Sequence, residues 1–344
     1  MAGFADAGPV PPDIRGLLAA AEAQQAQGQT SQALTTLRQA RDKARAGGSV
    51  ALTAQVTIAL AVAQASAGQG GEALAAMREA SDLFGQAGDR PSQVRALIQT
   101  AGLQAAAGDL NGAKSVVQGC LSEAGQLGDG QLLSEAHLAA GQLLLTTRYA
   151  AAAADEFRTG LAAATGLPDA TAQVQLRAYL AIAVFQCGNA ADALSLLSED
   201  AKVAQAMADG IAGAAALSTV ADALVAIGRP LDAVSVGKQV LARLQQTGAQ
   251  PLIIQAMIGL SNMYALAGQA GEAANQASQA AAVATQFGGA ADVASVWLRL
   301  GTMSFQRGDR IVTADQLGKA RTQLTAVGLA EPPMLTQMLA QLAS

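Results

Sequence analysis

The chain repeats itself every forty residues. Segments reading GQTSQAL from Gly28, GQGGEAL from Gly68, GDLNGAK from Gly108, GNAADAL from Gly188, GRPLDAV from Gly228, GQAGEAA from Gly268 and GDRIVTA from Gly308 begin forty residues, or a multiple of forty, apart. The slot at Arg148, which opens RYAAAAA, is alone in lacking the glycine. With 36 glycines among 344 residues, filling seven of eight slots by chance has odds on the order of one in a million at a given phase. The period therefore records a repeated structural unit, and it points to a fold made by stacking like units.

Other phases keep the same rhythm. Five residues after each slot stand Ala33, Ala73, Ala113, Ala153, Ala193, Ala233 and Ala273, with Thr313 the exception. Seven before it stand Ala21, Ala61, Ala101, Gly141, Ala181, Ala221, Ser261 and Gly301. Small side chains at a fixed phase mark close approach of helices, because the distance between axes depends on the side chains at the contact. A second turn recurs half a period on, as AGD from Ala87, LGD from Leu127, LPD from Leu167 and FGG from Phe287. Asp89, Asp129, Asp169 and Asp209 share a phase there that suits helix N-caps or first-turn acids. Pro11, Pro91 and Pro251 share another, and Pro230 opens a further helix, where a missing N–H breaks no helical hydrogen bond. Each unit is thus expected to be two helices of about four turns, such as residues 51–67 and 70–86, joined by a glycine turn. Arg148 should disturb the fourth unit. A left-handed backbone there would cost a non-glycine residue about 1 kcal/mol or more, so a locally altered turn is expected.

Composition narrows the function classes. At 51% hydrophobic residues the chain can bury a large apolar area, while aromatics are only 3% and charged residues 14%. The net charge of −5 argues against nucleic acid as a partner, since that affinity comes largely from basic contacts to phosphates. One histidine and two cysteines leave little material for metal sites or acid–base catalysis, so no metal, no cofactor and no catalytic residue is expected. His137 shares its phase with Leu17, Thr57, Leu97, Arg177, Leu217, Met257 and Trp297, a packing position. Cys120 and Cys187 fall in different units, too far apart in a stack to pair, and are expected to be free. The glycine patches at residues 68–71 and 288–289 follow no strand and end in no Gly-Lys-Ser/Thr, which excludes a phosphate loop. Two uncharged stretches, 46–71 and 244–271, are long enough to span a bilayer but are broken by turn residues and studded with Gln, Ser and Thr, so no membrane span is expected. Residues 1–12 have neither a basic n-region nor an apolar h-region, which suggests a cytoplasmic protein, associated with cytoskeleton or cilium if its source is eukaryotic.

The repeated units resemble the tetratricopeptide repeat family, whose pattern is Trp-x2-Leu-Gly-x2-Tyr followed by Ala-x3-Phe. Trp297-x2-Leu300-Gly301 and Leu260-Ser261-x2-Tyr264 meet the first part. Ala153-x3-Phe157 meets the second, and Ala33-x3-Leu37, Ala73-x3-Met77 and Ala193-x3-Leu197 are close to it. The forty-residue period exceeds the family's usual 34, and is similar to the longer-helix variants found in polarity adaptors, kinesin light chains and bacterial regulators. The resemblance implies an all-α, helical-hairpin solenoid, a right-handed superhelix of eight repeats over residues 12–329. An N-terminal arm, 1–11, precedes it. Residues 330–344, where Met334, Leu335, Met338, Leu339 and Leu342 follow Pro332 and Pro333, read as a C-terminal capping helix.

In that family the first helix of each unit lines a concave groove, so the resemblance implies the lining column by column. One column reads Arg15, Gln55, Arg95, Glu135, Gln175, Ala215, Gln255 and Ser295, and the next Leu18, Ile58, Ile98, Leu138, Ala178, Ser218, Ile258 and Leu298. A third reads Glu22, Val62, Gly102, Gln142, Ile182, Asp222, Asn262 and Thr302, and a fourth Gln25, Ala65, Ala105, Leu145, Phe185, Val225, Ala265 and Phe305. The expected partner-binding residues are Arg15, Leu18, Gln55, Ile58, Val62, Arg95, Ile98, Glu135, Leu138, Gln142, Leu145, Ile182, Phe185, Gln255, Ile258 and Asn262. The competing reading is that part of the aliphatic column simply packs between long helices. Lysine is absent from all four columns, which disfavours the family's clamp for a chaperone's C-terminal carboxylate. The Asn-Leu-Gly-Asn signature of the polarity adaptors is replaced by Ala59-Leu60-Ala61-Val62 and Arg299-Leu300-Gly301-Thr302. An apolar groove with amide edges suits an amphipathic helix or extended apolar segment. The expectation is a non-enzymatic scaffold or adaptor that binds a protein or peptide within a multi-subunit assembly. The alternative is a peptide-sensing regulator.

Overall fold

The structure is a computed structural model that describes residues 10–26, 29–167, 170–287, 290–306, 310–326 and 331–343. Among the described residues the backbone forms seventeen α-helices and no strand. They are α1 (Pro12–Ala26), α2 (Thr30–Ala46), α3 (Val50–Ser66), α4 (Gly70–Ala87), α5 (Arg90–Ala106), α6 (Leu110–Leu127), α7 (Gly130–Thr146), α8 (Ala150–Ala164), α9 (Ala170–Gln186), α10 (Ala190–Ala206), α11 (Gly210–Ala226), α12 (Pro230–Thr247), α13 (Gln250–Leu266), α14 (Ala270–Phe287), α15 (Ala290–Gln306), α16 (Arg310–Ala326) and α17 (Pro333–Ala343). Odd-numbered helices α1 to α15 are the first helices of the hairpins.

The glycine slots close the first helices. Gly68 takes φ 76°, its N–H donates to the Ala65 carbonyl at 3.0 Å, and the Gln69 N–H reaches back to Gln64 at 2.9 Å. This pair of bonds is the Schellman close, which satisfies carbonyls the helix end would otherwise leave unpaired. Gly108, Gly188, Gly228 and Gly268 do the same. The slots at Gly28 and Gly308 lie outside the described residues. Arg148 corrects the expectation of an altered turn. It adopts φ 64°, its N–H donates to Leu145 at 3.0 Å, and the Tyr149 N–H donates to Leu144 at 2.9 Å. The turn keeps the common geometry, and the strain is absorbed at one exposed residue because α7 and α8 pack in the same register as the other hairpins.

The second helices end in a second left-handed series, at Gly48, Gly88, Gly128 and Gly248. Gly166 does this two residues ahead of the phase, because α8 stops at Ala164. The expected acidic caps are present at three positions. The carboxylates of Asp89, Asp129 and Asp209 accept from the backbone N–H groups of Ser92, Leu132, and Ile211 and Ala212. Asp169 is outside the described residues. Hydrogen bonds from Ala212 and Ile211 hold the Asp209 carboxyl below the usual carboxylate range. At Ala208 the series has no glycine, and there Arg243 of α12 donates to the carbonyls of Met207 and Asp209.

The chain divides into two compact units, Met1–Ala20 with Leu34–Gln205, and Ala21–Ala33 with Ala206–Ser344. In the first, each helix from α3 to α9 packs on the next, and α7 also meets both α5 and α9. Its core includes Leu52 and Val56, Met77 and Phe84, and Val94 with Cys120 and Leu132. In the second, each helix from α11 to α17 packs on the next. α17 buries Leu335 and Met338 beside Leu317 and Leu324, and a leucine so covered contributes about 1.5–3 kcal/mol. Both small-residue phases are buried throughout. A Cβ added at Gly141 would stand 2.3 Å from the Phe157 ring, and one at Gly301 would stand 2.4 Å from Leu317. Glycine there is the space its neighbour occupies.

Candidate functional site

The residues expected to line a groove fall in both units: those from Arg15 to Phe185 in the first, and Gln255, Ile258 and Asn262 in the second. None of them is buried. Val62 is 52% exposed and Phe185 37%, while Leu18, Leu138, Leu145 and Ile182 are half-buried. Ile58 leans on the Ala54, Ala61 and Met77 cluster, and Ile98 on Val94 and Cys120. The aliphatic column therefore has one edge on the core and one edge out. Arg95 and Glu135, on α5 and α7, are paired at 3.4 Å, so these two satisfy each other. Arg15 donates to the Val10 carbonyl at 3.1 Å.

Within each unit the first helices frame a cleft whose floor is a second helix. One, of about 230 Å³, lies among α5, α6 and α7 and is lined by Ile98, Gly102, Val117, Gln142 and neighbouring residues. The other, of about 250 Å³, lies among α11, α12 and α13 and includes Ser218, Asp222, Gly237, Gln255 and Met263. Of the expected residues, Ile98 and Gln142 meet in the first and Gln255 reaches the second. Ile258 and Asn262 line neither. Asp222 and Gly237 were missed as site residues. Their signal was a break in the repeat pattern, since Ala233-x3-Gly237 puts glycine where six other units carry Leu, Met, Val or Phe at the same phase.

The chemistry-bearing side chains lie elsewhere. His137 is held by Glu156, Nδ1 to Oε2 at 2.7 Å, in a packed, half-buried position. Cys120 is buried and Cys187 exposed, both as free thiols, and burial pushes the Cys120 thiol up to about 11. Arg177 of α9 meets the fully buried Asp200 of α10 at 3.0 Å. Among the described residues no three His, Cys, Asp or Glu side chains gather as metal ligands would, and no helix is long and apolar enough to cross a membrane.

No family model matches the chain, and no curated protein matches it. Solved structures do. Yeast Tom70 aligns with a TM-score of 0.63 at 13% identity, over 99% of this chain and 65% of that one. The Rap conjugation gene regulator of a plasmid, solved with a Phr peptide, gives 0.52 at 16% identity, over 80% and 74%. A signal transduction ATPase with a tetratricopeptide repeat sensor, from Pyrococcus horikoshii, gives 0.50 at 14% identity, over 96% and 49%. The chain has the tetratricopeptide-repeat fold. Its first helices of mostly seventeen residues and second helices of up to eighteen account for the long period. In tetratricopeptide terms both clefts lie between first helices of successive repeats, over the second helix between them.

Proposed function

We propose that this tetratricopeptide-type protein is an interaction scaffold or adaptor that holds an apolar or amphipathic segment of a partner protein on its first helices. It contributes binding rather than catalysis, and it works in the cytoplasm within a multi-subunit assembly. Eight repeats over residues 12–329, closed by a cap at 330–344, present the surface. The observation that carries this reading is the aliphatic column at Leu18, Ile58 and Ile98, which is supported by the core yet left open on its outer edge. Partly open apolar surface beside amide side chains favours a segment that brings apolar area and few charges. The peptide bound to the Rap regulator supports a second reading, a sensor that responds to a short peptide.

The test compares Ile58→Asp and Ile98→Asp with Ala61→Asp and Ala101→Asp. Burying an unpaired charge against a partner costs several kcal/mol, whereas the lost methyl contacts cost about 1–3 kcal/mol. The isoleucine variants should therefore keep a near-native melting temperature and lose the partner that co-purifies with the wild type from source cells. The alanine variants should unfold, because those side chains have no room. Equal destabilisation by Ile58→Asp and Ala61→Asp would make the column ordinary core.

A further inference from the structure

The two clefts are the same place in the repeat, three periods apart. Ser218, Asp222, Gly237, Gly259 and Met263 in the second correspond to Ile98, Gly102, Val117, Ala139 and Leu143 in the first. Three of the exchanges change the lining, the first being the Ser218 hydroxyl where the other cleft has the aliphatic Ile98. On the floor, Gly237 replaces a β-branched valine, and Met263 and Leu260 pack into the space that a side chain there would take. On the wall, a carboxylate stands where the first cleft has a glycine.

Asp222 is the single ionisable residue lining an otherwise largely apolar cleft among the described residues. No ion pair or hydrogen bond within the described chain engages its side chain. Its side chain is exposed at the rim of the cleft, and the apolar wall beside it raises its carboxyl above the usual carboxylate range by desolvation. A carboxylate in that setting gains most from a cation, because a charge-assisted hydrogen bond in a partly dry site is stronger than one in water. The volume of about 250 Å³ falls below the roughly 300–1,000 Å³ of small-molecule pockets and suits one long side chain. Lysine and arginine combine an apolar stem with a charged end, which matches an apolar cleft with one acid on its wall.

We propose that the cleft among α11, α12 and α13 is a selectivity pocket for a lysine or arginine side chain on an otherwise apolar peptide segment, with Asp222 as its counter-ion and Gly237 as its floor. This rests on the reading of the first helices as a peptide-binding surface, and adds to it the chemical identity of one anchor residue. The cleft among α5, α6 and α7, having no charge, takes an apolar side chain.

The experiment screens the full-length protein against a synthetic nine-residue peptide library with apolar residues at the flanks and lysine, norleucine or glutamate at the centre. The wild type should retain lysine-centred peptides preferentially. Asp222→Asn, which keeps the shape of the side chain and removes its charge, should retain apolar peptides without that preference. For one selected peptide, replacing lysine by norleucine should weaken wild-type binding roughly tenfold and leave binding to Asp222→Asn nearly unchanged, a double-mutant cycle that isolates the pair. Retention of apolar peptides with no basic preference, or a preference that survives Asp222→Asn, overturns the pocket and leaves the broader groove reading standing. Retention of no peptide of any kind by the wild type overturns both.

Discussion

At Arg148 a single side chain bears a strain that five glycines avoid. A left-handed backbone costs an L-residue about 1–2 kcal/mol, and glycine returns about 0.5–1 kcal/mol of that as chain entropy lost on folding. Arg148→Gly should therefore stabilise the protein by about 0.5–1 kcal/mol, read as a higher urea midpoint at unchanged slope. A lower midpoint would mean that the arginine side chain makes a compensating contact. The demand at this position was legible because its slot is set by the period. What the sequence could not say was whether the turn or the residue would yield. The outcome depends on α7 and α8, whose packing through Gly141 and Phe157 holds the hairpin in register. Gly141 and Phe157 also show how columns compensate: Phe157 stands where the second and third units place Met77 and Val117, and Gly141 where they place Ala61 and Ala101.

Between elements, the decisive contacts join helices at separations with no helical period. Arg177 was legible as a packing-phase residue, but nothing in the spacing of 23 residues to Asp200 marks that acid as its partner. Only the antiparallel approach of α9 and α10 brings them to 3.0 Å. Burial pushes the Asp200 carboxyl up to about 7, against the pull of Arg177 and with a further push from Glu199. A folded-state pKa above the usual 3.8 means the folded protein keeps a proton that the unfolded chain releases, so this contribution is present at low pH and is lost as pH rises from about 4 towards 7. Asp200→Asn does not titrate. Measured against it by urea unfolding at a series of pH values, the wild type should lose relative stability across that window at up to about 1.4 kcal/mol per pH unit. Parallel profiles would show that Asp200 stays ionised beside Arg177.

Across the whole molecule, helices pack chiefly on their sequence neighbours, so stability is a sum of local terms more than one cooperative core. Trp297, the only tryptophan, sits in α15 of the second unit, with the Lys319 ammonium 4.6 Å from its ring centre. Gly141→Ala acts in the first unit, where the new methyl meets the Phe157 ring and overpacking costs about 1–3 kcal/mol. The helical signal in circular dichroism should begin to melt earlier in this variant while the Trp297 fluorescence midpoint stays in place. Equal shifts in both probes would show a single cooperative transition. The division into two units was not legible in an unbroken period, since every repeat carries the same signals.

The amino-acid sequence by itself determined the all-helical hairpin architecture, the length of the unit, the left-handed turn slots, the acidic caps and the two phases of small residues. Each of these is set within one turn, or by a helix contact that recurs in every repeat, so periodicity amplifies it. The tertiary structure alone decided that Arg95 pairs with Glu135 and Arg177 with Asp200, that the aliphatic column stands half-open, and that Asp222 and Gly237 meet in one cleft. Those features depend on which side chains face each other across particular helices. They differ from repeat to repeat, and the averaging that exposes the fold removes them.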